Sequence, residues 1–421
     1  MKKLTKLLIV GNHTCGNRGD AAILRGLIEG IKTIDKGIQL TITSRYPNSS
    51  SYLLGVPLVA DILHKRRRTA IKGLLINRIK KVRENLDIRI LHARIKHKGL
   101  LRFFPLSKYI SQHINSLQEY DAVIQVGGSF FVDSYGIFQF EHALCTLNAN
   151  KPLLILGHSV GPFSKKSFKH LSNSVFNQAK FFGLRESVSE ELVNKELNIT
   201  NKVHVGTDTA WLVSPVDKKI NIPLDDGPYI AVTLRELAPF DKKLKVSQDA
   251  YETEMALLCD HLMALGYKII AVSTCTAIDG YHKDDRMIAL NVQLKCKLRH
   301  NFTVLMDEYN DIDLGIIFSK CALTIGTRLH SAIISMNFGT PAFALNYEHK
   351  SQGIMNNLCL PELSIPFEEL MSGAFTKKVE LVLGDINGMR TIMQKSVEKE
   401  KQQALTFIDK ALEMIKYPNN K

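Results

Sequence analysis

No uninterrupted apolar stretch in this chain approaches the ~20 residues that a helix needs to cross a bilayer. The amino terminus carries Lys2, Lys3 and Lys6, but only Leu7 to Val10 follow before Gly11, Asn12 and His13. That run is too short for a secretory signal. It reads as a first core strand, and a cytoplasmic protein is expected. Paired cysteines are also missing. The seven cysteines (Cys15, Cys145, Cys259, Cys275, Cys296, Cys321 and Cys359) include no Cys-x-x-Cys and are odd in number. A disulfide framework or a zinc ribbon uses close, even spacing, so free thiols in a reducing compartment are expected. Cys15 lies in a glycine-rich loop, where a reactive role competes with that of a small loop residue. Internal repeats and low-complexity segments are absent. So are the P-loop Gly-Lys-Ser/Thr and the Gly-x-Gly-x-x-Gly dinucleotide fingerprint.

What is present is a chain of 421 residues, 45% hydrophobic and 23% charged, which implies two ordinary globular domains. The formal charge is +14, and it is concentrated. Lys65 to Lys108 hold 15 Lys or Arg against Glu84 and Asp87, so 15 − 2 = +13 sits in one segment. There Ile71, Leu74, Leu75, Ile79, Val82 and Leu86 fall on one helical face, flanked by Arg78, Lys80, Lys81 and Arg83. Such a helix suits either an anionic membrane surface, through residues 64–108, or a solvated position beside a cleft.

Short aliphatic runs alternate with longer amphipathic ones, the pattern of parallel sheets covered by helices. Strands are expected at Lys6–Val10, Gln39–Thr43, Ala122–Val126, Leu153–Leu156, Phe181–Leu184 and Val203–Val205. After a polar linker they resume at Tyr229–Leu234, Lys268–Val272, Thr303–Leu305, Leu323–Ile325 and Ala342–Leu345. The expected fold is α/β, with two doubly wound Rossmann-like domains facing across a cleft. Residues 1–214, with a basic insert at 61–118, form the acceptor side, and residues 215–421 form the second domain.

Ligands of such sheets bind beyond the carboxyl ends of the strands, and polar residues crowd there. The first strand ends in Gly11-Asn12-His13-Thr14-Cys15-Gly16-Asn17-Arg18-Gly19-Asp20, an anion or sugar site or a tight turn capped by Asp20. Gly127-Gly128-Ser129 and Asp133 follow another strand, with Asp133 a base or a helix cap. His158 ends the next as a sugar ligand or a structural histidine, and Arg185 is expected to pair with Asp208. The second half offers Arg235, the hydroxyl run Ser273–Thr276, Lys283–Arg286, and Gly326-Thr327-Arg328-Leu329-His330 where a strand passes into a helix. Two arginine forks and a helix amino terminus match an anion. His330 adds the side-chain type best suited to proton transfer. Together they indicate acid–base chemistry on a small anionic ligand.

These strings resemble the polysaccharide pyruvyl transferase family over nearly the whole chain. The matching stretches include GNHTCGNRGD, VIQVGGSFFVD, GHSVGPF, TLRELAPFDK, KDDRM, GTRLHSAIISMNF and NYEHKS. They are most similar to the branch serving colanic acid, an exopolysaccharide of the slime layer. The resemblance implies a GT-B-like fold. It also implies transfer of a carboxyethylidene group from phosphoenolpyruvate to two hydroxyls of a sugar, galactose in this branch, with release of phosphate. It assigns phosphoenolpyruvate to Arg235, Arg328, the Leu329 backbone and His330, and Thr327 of the same segment is expected to join them. No metal and no cofactor beyond that co-substrate is expected. His158 and Asp208 stand where many members have Gln and an Asp-Pro-Ala motif, so no family role is carried to them.

The resulting expectation makes His330 the general acid and Asp20 or Asp133 the base. Asn12, Asn17, Arg18, Gly127, Gly128, Ser129 and His158 line the acceptor side, where a lipid-linked saccharide is expected. Two alternatives compete. A nucleotide-sugar glycosyltransferase of the same architecture would need a base-binding site that the motifs do not display. A nucleic-acid binder would leave the strand-end residues unexplained, and the insert has few aromatics for stacking.

Overall fold

The computed structural model describes residues 6–68, 74–279, 282–346 and 349–416. Ile71 of the helical stripe, and Tyr347 and Glu348 of the last motif, lie outside them. The first sheet contains β1 (Lys6–Asn12), β2 (Gln39–Ser44), β3 (Val59–Ala60), β4 (Ala122–Gln125), β5 (Gly128–Phe131), β6 (Leu153–Val160), β7 (Phe181–Leu184) and β8 (Val203–Val205). Its order is β3-β2-β1-β4-β6-β7-β8, with β5 also pairing with β6. The second contains β9 (Tyr229–Thr233), β10 (Lys268–Ala271), β11 (Phe302–Val304), β12 (Leu323–Gly326), β13 (Ala342–Asn346) and β14 (Ser364–Pro366), in the order β11-β10-β9-β12-β13-β14. Every registered strand pair is parallel. Helices cover both faces, so the strands read as continuous apolar runs. Two doubly wound α/β domains are therefore present, as expected.

In each sheet the strand order reverses once, between β1 and β4 and again between β9 and β12. Such switch points open crevices beyond the strand ends. The Gly11–Asn17 loop follows β1, and Arg235 follows β9. Thr327 and Arg328 follow β12, where the Thr327 N–H donates to the Thr233 carbonyl at 3.1 Å. The two crevices meet. Asn17 and Cys275 form an antiparallel bridge, and the Arg18 N–H donates to the Thr274 carbonyl at 3.0 Å.

The final helix, Ile386–Lys416, crosses back to the first sheet. Phe407 lies against Gly183 and Gly206, where a Cβ would stand 2.3 Å from its ring in either case. A side chain at either glycine would expel the phenylalanine.

Candidate active site at the domain junction

The Leu329–Asn337 helix begins just after β12, with Arg328 as its extended N-cap. Its first N–H groups have no acceptor within the helix. His330, in that first turn, reaches across to the other domain. A Cβ on Gly19 would lie 2.7 Å from Cγ and Nδ1 of the ring, so glycine is what lets the imidazole rest on the chain at that point. The glycine-rich loop and the Arg-Leu-His segment are thus two walls of one site.

The other imidazole nitrogen, Nε2, lies 3.3 Å from Oδ2 of Asp208. The same oxygen accepts from Nη1 of Arg185 at 2.7 Å, while Oδ1 accepts from the Ala210 N–H at 2.9 Å. Burial alone would raise the Asp208 pKa, but Arg185 and the His330 hydrogen bond pull it well below the usual carboxylate range. Asp208 is therefore a fixed anion that orients the His330 ring. Arg185 also donates to Ser129 Oγ at 3.0 Å and Ser159 Oγ at 2.7 Å, which holds its fork rigid.

Asp20 sits in the first turn of the Arg18–Ile34 helix. Asn17 is that helix's N-cap, accepting from the Gly19 N–H at 3.0 Å, so the capping role read for Asp20 is corrected. Asp20 keeps partial water access. Burial pushes its carboxyl from 3.8 up to about 6, against the pull of nearby His330, Arg185 and Arg328. A carboxyl in that range accepts and returns protons near neutral pH.

The opposite wall is cationic. Arg328 is buried and forks onto Asp285, with Nε and Nη2 each 2.7 Å from a carboxylate oxygen. Its guanidinium is thus already held by a buried partner. Arg235 is buried too, donating from Nε to the Glu236 carbonyl at 3.0 Å and lying 5.1 Å over the Phe240 ring. Burial, with Arg235 and Arg328 nearby, lowers the pKa of Lys283, while Glu236 opposes the shift. Thr327 is buried, its hydroxyl 2.9 Å from Tyr251 OH. Arg235, Lys283 and Arg328 thus cluster beside the helix amino terminus that carries Leu329 and His330.

Residues 17–349 match the family model described as polysaccharide pyruvyl transferase. The chain belongs to that family. It is 45% identical over 406 residues to the amylovoran biosynthesis protein AmsJ of Erwinia amylovora, covering 94% of this chain and 96% of that protein. Solved structures share the GT-B-like fold. One is the UDP-glucose complex of Anabaena HepE, with a TM-score of 0.58 at 11% identity over 98% of this chain and all of that one. Another is the UDP-GlcNAc 2-epimerase from Neisseria meningitidis bound to UDP-GlcNAc, with a TM-score of 0.55 at 12% identity over 97% of this chain and 99% of that one.

In this pyruvyl transferase family member, much of the set expected on the acceptor side is structural. Arg18 is wholly buried. It donates to the Gly16 carbonyl at 2.5 Å, the Tyr309 carbonyl at 2.6 Å, Glu308 at 2.5 Å and Thr276 Oγ1 at 3.1 Å. It clamps the domains together and has no exposed fork for a ligand. His158 lies inside β6, wholly buried against Phe131, with ring centroids 4.9 Å apart. Burial and Arg185 lower its pKa to about 3, so it is a neutral residue of the core. The Oδ2 atom of Asp133 accepts from the Ser164 and Lys165 N–H groups at 2.6 and 3.0 Å, which fixes the loop after β6.

Gly127 makes room for strand packing, since a Cβ there would meet the Gly157 carbonyl at 2.5 Å. Gly128 has φ +139, a backbone that only glycine adopts readily. Asn12 is buried at the end of β1. Asn17 and Ser129 remain beside the centre, through Gly19 and Arg185 respectively. Burial raises the Cys15 thiol to about 12, so it is inert.

Sequence reasoning passed over an aromatic cluster on the same side. The His13 ring lies 3.9 Å from that of Phe130, tilted by 38°, and 6.2 Å from that of Tyr135, which is exposed. Alternation of aromatic and glycine residues around Gly128 was the available signal.

Proposed function

We propose that this protein transfers a carboxyethylidene group from phosphoenolpyruvate to two hydroxyls of one sugar in an exopolysaccharide repeat. The observation that carries the reading is the Asp208–His330 pair, brought against Gly19 and Asp20 from the other domain. Family membership and the amylovoran relative support the polysaccharide context. Phosphoenolpyruvate carries charge at its carboxylate and its phosphate. Arg235, Lys283, Arg328 and the amino terminus of the Leu329–Asn337 helix are the groups that suit them.

In its protonated form His330, held by Asp208, gives its proton to the methylene carbon, which becomes a methyl group. One sugar hydroxyl attacks the oxocarbenium carbon and loses its proton to Asp20. Phosphate then leaves, and the second hydroxyl closes the ketal. Asp20 passes the first hydroxyl proton to the departing phosphate, and the proton of the second hydroxyl restores His330. Asp20 is preferred over Asp133 because it lies beside His330, whereas Oδ2 of Asp133 is committed to the Ser164 and Lys165 N–H groups. The finer acceptor we infer is galactose, at its 4- and 6-hydroxyls, in a lipid-linked repeat of the colanic acid type.

The test is incubation with phosphoenolpyruvate and lipid-linked oligosaccharide, weighing the product and counting free phosphate. One phosphate per ketal is expected. Sugar transfer from a nucleotide sugar, with no ketal formed, would replace this reading with a glycosyltransferase.

A further inference from the structure

The segment after Asp61 forms two helices, Ile62–Arg68 and Leu74–Lys96, and then folds back. Arg94 donates from Nε to the Arg102 carbonyl at 3.2 Å and from Nη2 to the Phe104 carbonyl at 3.0 Å. Arg83 reaches the Pro105 carbonyl at 2.6 Å. The return chain therefore runs back along the long helix, toward the turn that carries Ile79 and Val82. Ile88, Leu91 and Ile95 bury the inner face of that helix in the first domain's core. The outer face is not polar. Val82 is 68% exposed, Ile79 60%, Leu100 80%, Phe103 70% and Phe104 50%. Arg78, Lys81, Arg89, Lys96, Lys98 and Lys108 stand exposed around them.

The two acids of this segment point inward. Asp87 is buried and accepts from the Ser107 N–H at 3.0 Å and hydroxyl at 2.6 Å, and Glu84 is buried near Lys80. The insert's outer surface thus combines bare apolar side chains with positive charge and presents no acid of its own. A soluble face would bury these apolar groups or surround them with mixed charge.

We infer that this face docks on an anionic lipid bilayer, with Leu100, Phe103 and Phe104 in the interfacial zone and the basic residues among the headgroups. Apolar insertion together with cationic attraction is the signature of an interfacial surface. A second copy of the chain fits poorly, because a symmetric contact would oppose two faces of the same high positive charge. Nucleic acid would satisfy the cations but leave Ile79, Val82 and Leu100 in water. The inference stands apart from the identity of the pyruvyl donor.

Co-sedimentation of the full-length protein with phosphatidylcholine vesicles, and with vesicles containing equal parts phosphatidylglycerol, tests it. Binding should be at least ~10-fold tighter to the anionic vesicles and should weaken as salt rises. Leu100→Ser/Phe103→Ser/Phe104→Ser should lose about 10-fold or more, with unchanged circular dichroism, because those side chains are already exposed. Arg78→Glu/Lys81→Glu/Arg89→Glu should abolish the preference for anionic lipid. Equal binding to both vesicle types, or to neither, would overturn the inference. So would vesicle-independent dimerisation lost in the serine variant, which would assign the face to a second copy. Tighter binding of an oligonucleotide than of anionic vesicles would also overturn it.

Discussion

Replacing Asp20 by Asn should make the protein more stable and nearly inactive. Asp20 titrates at about 6 in the folded chain against an ordinary 3.8, so folding holds its proton more tightly than the unfolded chain does. Between those values the unfolded state releases the proton and the folded state keeps it, so stability falls as pH rises through that window. Above about pH 6 the cost is complete, and below the ordinary value it vanishes. The interval from 3.8 to about 6 corresponds to roughly 3 kcal/mol at ~1.4 kcal/mol per pH unit. Asp20 keeps some contact with water, so a gain of about 1–3 kcal/mol at pH 8 is expected for Asp20→Asn. Urea unfolding of both proteins at pH 8 and near pH 4 measures it. The gain should be present at the first pH and largely gone at the second. Turnover should fall by ~10²-fold or more, and the rise of kcat/KM through about pH 6 should disappear. A destabilised variant, or a stability difference independent of pH, would refute the assignment of Asp20 as a strained carboxyl.

Other consequences follow from the same geometry. His330→Ala should fold normally and lose ketal formation by ~10²-fold or more in single-turnover assays. Gly19→Ala introduces a Cβ 2.7 Å from the His330 ring and should lower kcat by at least ~10-fold with an unchanged circular dichroism spectrum. Arg18→Met leaves the Gly16 and Tyr309 carbonyls without their donor and removes one partner of Glu308, which keeps Arg286 and Thr276. It should cost about 1–3 kcal/mol in denaturant unfolding. Arg235→Lys keeps the charge but loses the planar fork, so the KM for phosphoenolpyruvate should rise by about 10-fold while folding is preserved.

Long buried strands were legible because parallel sheets covered on both faces show as plain aliphatic runs. Phe181–Leu184 and Val203–Val205 have the same bounds in sequence and structure. β3 is two residues long, β14 has a single aliphatic residue between Ser364 and Pro366, and β5 opens with a glycine. β6 continues through Gly157, His158 and Ser159, a string that reads as a turn and that the sheet buries whole. This is why His158 looked available to a sugar.

Arg18 misled for a related reason. An arginine in a glycine-rich strand-end loop resembles an anion ligand until Glu308, 290 residues further on, is found against it. The pairing of Asp208 with His330 spans 122 residues and two domains, so no local pattern announces it. Arg328 was visible as a fork, but its partner Asp285 sits in a separate acidic-basic run that sequence alone left unassigned.

The most direct test of the central claim is the reaction run in heavy water with phosphoenolpyruvate and a saccharide acceptor, followed by mass spectrometry of the product. If an exchangeable acid at His330 protonates the enol carbon, the new methyl group must carry one solvent-derived deuterium for each phosphate released. His330→Ala must yield almost no ketal. A ketal methyl free of deuterium, or full ketal formation by His330→Ala, would contradict the account.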